Sequence, residues 1–263
     1  MKKISYFFFL IIICACTRNA SKSETSAAGL HTDTVGGNAS ADSLKQQIYW
    51  SGMVAERIPV LLHYQMIDSL LVGELVYLGN TERKPVKLIG EIEESEEHRI
   101  LEIDSTGNII GILSGTPIQD KWLGSWFSPK TRNEYTLDLK RIDTLLALPS
   151  QAVSPKDVAG QYYYQYGRKG RKGILKVRRL DDDKLEFSIL SLTDEPARNI
   201  ALVDTDTIIS KGTSFTYAVP STDNCEVKVQ FYKDFAHIRY SKGDCSGMFG
   251  HNASLEGIFY KTN

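Results

Sequence analysis

Apolar and polar residues alternate with period two through most of the chain from Ile48 onward, and turn chemistry breaks the alternation about every 8 to 12 residues. Val60, Leu62, Tyr64 and Met66 show the pattern plainly, as do Tyr135, Leu137 and Leu139. It predicts eight strands over 47–148, near 48–54, 58–66, 70–78, 84–93, 98–103, 108–115, 121–127 and 134–142. Gly79-Asn80 and Ser105-Thr106-Gly107-Asn108 supply turns, and no stretch reads as a long amphipathic helix. A second series begins with the alternating tyrosines of Gly160–Tyr166 and continues near 173–180, 184–192, 199–203, 207–211, 214–219, 226–232, 236–240 and 255–261. The expected fold is all-β: two tandem antiparallel β-meanders, over 47–148 and 156–263, joined by a Pro- and Ser-containing linker at 149–155.

Closing a run of eight short strands removes its edges, so an up-and-down barrel is expected for the first meander. Gly73-Glu74-Leu75, Gly111-Ile112-Leu113 and Gly124-Ser125-Trp126 each place a glycine beside bulky apolar residues, as close strand approach requires. This recurrence resembles avidin- and lipocalin-style barrels, and the resemblance implies shape without naming a ligand.

The N-terminal stretch has a different pattern. Lys2-Lys3 precede an apolar run from Tyr6 to Ile13, long enough for a secretory signal and short for a membrane span. Ile13-Cys14-Ala15-Cys16 resembles the lipobox of bacterial lipoproteins, with an aliphatic residue three before Cys16 and a small one just before it. The resemblance implies cleavage after residue 15, acylation of Cys16 with palmitate-class chains, and anchoring in a membrane of the cell envelope. An ordinary signal peptide or a transmembrane helix are the alternatives. Thr17 stands where an Asp would retain a lipoprotein at the inner membrane, which points to the outer membrane. The following Arg18-Asn19-Ala20-Ser21-Lys22 lacks the acidic residues associated with surface export in Bacteroidetes, and this favours the periplasmic face. Residues 16–46 are rich in Ser, Thr, Ala, Gly and Asn and read as a flexible tether. Asp33-Thr34-Val35 and Asp42-Ser43-Leu44 resemble short O-glycosylation sequons.

Composition adds limits. A net charge of −1 with 42% hydrophobic residues gives no reason to expect nucleic acid as a partner. Over 47–148 ten Lys and Arg face fifteen Asp and Glu, whereas over 155–263 sixteen face fourteen. Cys225 and Cys245 are an even pair in an oxidising compartment and predict a disulfide across a hairpin turning at Lys233-Asp234. No metal or cofactor is expected, because no His or Cys lies at ligand spacing nearby.

Three groups of residues could bind. Trp122 and Trp126 lie on one face of one strand and could line a barrel cavity, or could simply be core. Arg168, Lys169, Arg171 and Lys172 form the densest basic run, on a hairpin loop; they could hold a phosphate-rich lipid, an acidic glycan or an anionic headgroup, although Asp181-Asp182-Asp183 follows closely. Cys245-Ser246-Gly247, leading to the strand Leu255-Glu256-Gly257-Ile258-Phe259-Tyr260, is similar to small membrane-bound inhibitors of lysozyme, in which a Ser-Gly loop enters the enzyme cleft; Ser246 and Gly247 are the residues that carry the similarity. The five histidines share no metal spacing, and neither a Gly-x-Ser-x-Gly elbow nor a Walker loop is present. The expectation is therefore a non-enzymatic envelope lipoprotein that binds a small ligand, glycan or protein. The alternatives are an inhibitor of a lysozyme-like peptidoglycan hydrolase and an enzyme with dispersed acidic residues.

Overall fold

Alternation becomes structure in a computed structural model that describes residues 47–143, 150–210, 212–220, 222, 224–243, 245 and 247–262. The signal segment, Cys16, the tether with its sequons, and Ser246 lie outside the described residues.

The first meander comprises β1 (Gln47–Val54), β2 (Ile58–Ile67), β3 (Leu70–Tyr77), β4 (Val86–Ile92), β5 (His98–Ile103), β6 (Asn108–Ile118), β7 (Lys121–Phe127) and β8 (Glu134–Ile142). Each strand pairs antiparallel with the next, and β8 returns to β1 with Tyr49 opposite Ile142 and Val54 opposite Leu137. The ring is thus a closed eight-stranded barrel. Its inward positions hold Trp50, Leu62, Tyr64, Leu75, Leu88, Ile100, Leu113, Trp122, Leu137 and Leu139 as one hydrophobic cluster. A barrel of this size is just wide enough to be filled by side chains. Trp122 meets Trp50, Tyr64 and His98 edge-on, with ring centroids 5.5–6.4 Å apart. Each large side chain so buried contributes roughly 1.5–3 kcal/mol.

The second meander comprises β9 (Gly160–Tyr166), β10 (Lys172–Arg179), β11 (Lys184–Leu192), β12 (Ile200–Ile209), β13 (Ser214–Ala218), β14 (Glu226–Phe231), β15 (Phe235–Lys242) and β16 (Gly257–Thr262). A single 3-10 turn at Pro155–Asp157 leads into it. The strand order is β12-β11-β10-β9-β16-β15-β14-β13. The sheet curls until its end strands meet through side chains: the Tyr217 hydroxyl donates to Asp206 at 2.7 Å, the Ser210 hydroxyl donates to the Ser214 carbonyl at 3.1 Å, and Phe187 packs on Phe215. The predicted strands at 199–203 and 207–211 are one strand, β12. Asp204-Thr205-Asp206 interrupts the apolar alternation without ending the strand, because an extra residue is accommodated opposite Phe187–Ile189 and this part of β12 faces solvent.

Cys225 and Cys245 form the predicted disulfide, buried, with Cα atoms 4.8 Å apart, at the open end of the β14–β15 hairpin.

The two meanders join directly. β9 lies parallel to β6, with Asn108 opposite Gln165 and Ile109 opposite Tyr166, which makes all sixteen strands one sheet. The outward residues Val72, Ile89, Leu101 and Ile103 of the barrel belong to the same hydrophobic cluster as Phe235, Ile258 and Phe259 of the second meander. Polar contacts flank this contact: Lys87 Nζ lies 3.5 Å from Asp234 and donates to Gln151 at 3.1 Å, and the Tyr232 hydroxyl donates to Asp68 at 3.2 Å.

Candidate functional site

The site is built from loops, and the β9–β10 hairpin supplies its centre. Gly167 takes a left-handed φ of +57° and lies against the β7–β8 loop so closely that a Cβ would sit 2.5 Å from the Pro129 carbonyl oxygen. The Gln165 side-chain amide donates to the Gly167 carbonyl at 2.8 Å. From the other side the Arg198 guanidinium donates to the carbonyls of Gly170 (2.8 Å) and Thr193 (3.1 Å) and pairs with Glu195 at 2.9 Å. The Glu195 amide donates to the Lys169 carbonyl at 2.8 Å. Backbone and Arg198 thus fix three loops, at 128–133, 167–171 and 193–199, and Arg168, Lys169 and Arg171 are left exposed.

Between these loops and the β4–β5 and β15–β16 segments lies an open cleft of about 1140 Å³. Its lining includes the half-buried rings of Phe127 and Tyr166 and the buried ring of Tyr164. The Tyr164 ring stands edge-on to Phe259 at 4.8 Å and to Tyr166 at 5.9 Å. Burial pushes the Tyr164 hydroxyl up to about 12, so it stays protonated. The walls carry Arg99, Lys130 and Arg132 from the barrel and Arg168, Lys169, Arg171 and Arg239 from the second meander. Five carboxylates share the cleft: Glu91, Glu93, Asp194, Glu195 and Glu256. The formal excess is two positive charges.

Several of the carboxylates are already engaged. Glu195 holds Arg198, Glu256 accepts from the Tyr240 amide at 3.0 Å, and His237 Nε2 lies 2.9 Å from Glu91. His237 is almost fully buried, and its hydrogen bond holds the Glu91 carboxyl below its usual range, with Arg99 and Arg239 adding to the effect. None of the seven cleft Lys and Arg side chains forms an ion pair within 4 Å among the described residues. Such an array can bind an anion in water-exposed but focused geometry. Among the described residues no hydroxyl or thiol hydrogen-bonds to His237, and no three His, Cys, Asp or Glu side chains converge as a metal site.

The structure separates the sequence candidates. Arg168, Lys169 and Arg171 line the cleft, and Lys172, next in the chain, begins β10 outside the lining. Trp122 is fully buried in the barrel core. Trp126, half-buried on the same strand, donates its indole N–H to Glu102 at 3.0 Å, and Tyr77 donates to the same carboxylate oxygen at 3.0 Å. Burial raises the Glu102 carboxyl above its usual range, and the two donors oppose that rise. Gly111, opposite Glu102, leaves room for the group: a Cβ there would lie 2.2 Å from the carboxylate oxygen. Gly247 has a φ of +77° with open space where a Cβ would point, and the neighbouring Met248 is exposed. The loop's far side is tied down, since the Gly250 amide donates to the Ile200 carbonyl and Asn199 donates to the His251 carbonyl. Arg99, Lys130, Arg132 and Arg239 also line the cleft and carry no sequence signal for it: Arg99 and Arg239 lie within predicted strands, and Lys130 and Arg132 lie in a predicted turn.

Compared with protein families, with curated proteins and with solved structures, the chain matches none.

Proposed function

We propose that this chain is a non-enzymatic, lipid-anchored protein of the cell envelope that binds an anionic ligand in the cleft between its two meanders. The observation that supports this reading most strongly is the convergence of seven Lys and Arg side chains from both meanders on one cleft with only five carboxylates. The filled barrel core favours the cleft over a barrel lumen as the binding place. The lipobox-like Ile13-Cys14-Ala15-Cys16 supports the anchor, with the outer membrane as its place and the periplasmic face as its side.

A second reading, inhibition of a lysozyme-like peptidoglycan hydrolase, is supported by the exposed Gly247-Met248 loop beside the disulfide. One experiment separates the two. Residues 17–263, oxidised at Cys225 and Cys245, are used to capture material from envelope extract, and both proteins and small molecules are identified by mass spectrometry. The cleft reading expects an anionic small molecule or glycan whose recovery is lost in an Arg168→Gln, Arg171→Gln variant. Recovery of a muramidase that is insensitive to that variant and abolished by Met248→Asp would replace it with the inhibitor reading.

A further inference from the structure

We infer that the ligand of the cleft is an acidic oligosaccharide, an inference that rests on the cleft reading above. Three features of the lining specify more than an anion. The first is the mixture of charges. A site for a compact phosphate or sulfate would gain nothing from carboxylates nearby, yet Glu93 and Asp194 face the same space, and among the described residues their side chains make no hydrogen bond or ion pair. Ionised carboxylates are acceptors only, and they suit a ligand that offers hydroxyl donors alongside its anionic groups.

The second feature is the preference for arginine. Five of the seven cations are arginines, whose planar forks match carboxylate or sulfate oxygens in pairs. They come from both meanders, Arg99 and Arg132 from the barrel and Arg168, Arg171 and Arg239 from the second meander. Anionic groups spaced along a chain can meet several of these forks at once, and a single small ion cannot.

The third feature is the pair of aromatic rings in the lining. Phe127 and Tyr166 are half-buried rings within a polar cleft. Aromatic faces at such a position bind the apolar C–H face of a sugar ring while its edge hydroxyls reach polar neighbours. The volume of about 1140 Å³ exceeds the roughly 300–1,000 Å³ of sites for single drug-sized ligands, so several linked rings fit.

Calorimetry on the full-length chain in detergent tests this with four probes: a short oligogalacturonate, the same oligosaccharide with its carboxyls methyl-esterified, inorganic phosphate, and vesicles containing an anionic phospholipid. The inference expects binding of the oligogalacturonate, at least about tenfold weaker binding of the ester, and about a tenfold loss on Arg171→Gln, the scale of one charged hydrogen bond. Tyr166→Ala is expected to weaken acid and ester by the same factor; should that variant fold poorly, Phe127→Leu makes the same test on the other ring. Binding of phosphate or vesicles without the oligosaccharide overturns the saccharide class and leaves an anion site in the cleft. Absence of binding to every anion overturns the cleft reading with it.

Discussion

Glu102 shows how a single side chain can be both costly and fixed in place. It occupies an inward position of the barrel, where burial disfavours its charge, and two donors and a facing glycine hold it there. Because its folded-state pKa is raised, folding favours the protonated acid, and the carboxylate weakens the fold above the ordinary value of 4.5. Glu102→Gln keeps an acceptor for Tyr77 and Trp126 and removes the charge. Urea unfolding should show this variant more stable than the parent at neutral pH, with the advantage shrinking as the pH falls through the raised pKa. Glu102→Leu removes the acceptor altogether and should cost about 1–3 kcal/mol for the donors it strands. At this scale the sequence was partly legible. The basic run Arg168–Lys172 stands out as a run, but Arg99, the Lys130/Arg132 pair and Arg239 are spread over three distant parts of the chain and each looks like an ordinary solvated charge. Trp122 and Trp126 share a strand face as expected, yet the ends of the barrel give them different surroundings, core for one and a carboxylate for the other.

Strand positions were the most legible level, because alternation and turn residues are local. The departures have local reasons too. The sequence pattern divides β12 in two because Asp204-Thr205-Asp206 breaks its alternation, and an end strand can tolerate what a central strand cannot. Those aspartates have a use at an edge. Among the described residues β12 has β11 as its one strand partner, and Ile200, Leu202 and Ile209 are exposed along it, a composition that invites pairing with another chain. Exposed Asp204 opposes such pairing by charge. Asp204→Val should leave the urea midpoint nearly unchanged while raising concentration-dependent light scattering; unchanged scattering would mean that the edge is guarded by something else. The β14–β15 hairpin is held differently, by Cys225–Cys245 across a sequence separation of 20. Cys225→Ser with Cys245→Ser should cost roughly 3 kcal/mol in the chain-entropy account, read as a lower denaturation midpoint.

Over the whole molecule, the parallel contact of β6 with β9 and the shared hydrophobic cluster make the meanders mutually dependent. The signal for this was present in β3 to β5, where Leu70-Leu71-Val72, Leu88-Ile89 and Ile100-Leu101 are apolar on both faces, as strands covered on both sides are. It was hard to read because adjacent apolar pairs also occur at strand ends and bulges. Ile89→Asp, which buries a charge in that contact, should lower one common unfolding transition in calorimetry; two separate transitions would show that the meanders are independent. Acid should destabilise the molecule as well. His63 and His98, held below their usual 6.5 by burial, resist protonation when folded, so stability is complete above that value and declines as the pH drops beneath it. Glu91, lowered chiefly by its hydrogen bond with His237, adds a further loss once the pH falls through its depressed value. The urea midpoint should therefore fall between neutral pH and pH values near 4, with Glu102 opposing the trend. All of this leaves a rigid frame around a cationic cleft, and its occupation can be observed directly. Hydrogen exchange read by mass spectrometry, with and without a short oligogalacturonate, should show added protection in the loops at 128–133, 167–171 and 193–199 together. Protection confined to 247–252, or bound ligand with no change in those three loops, would contradict the cleft as the binding site.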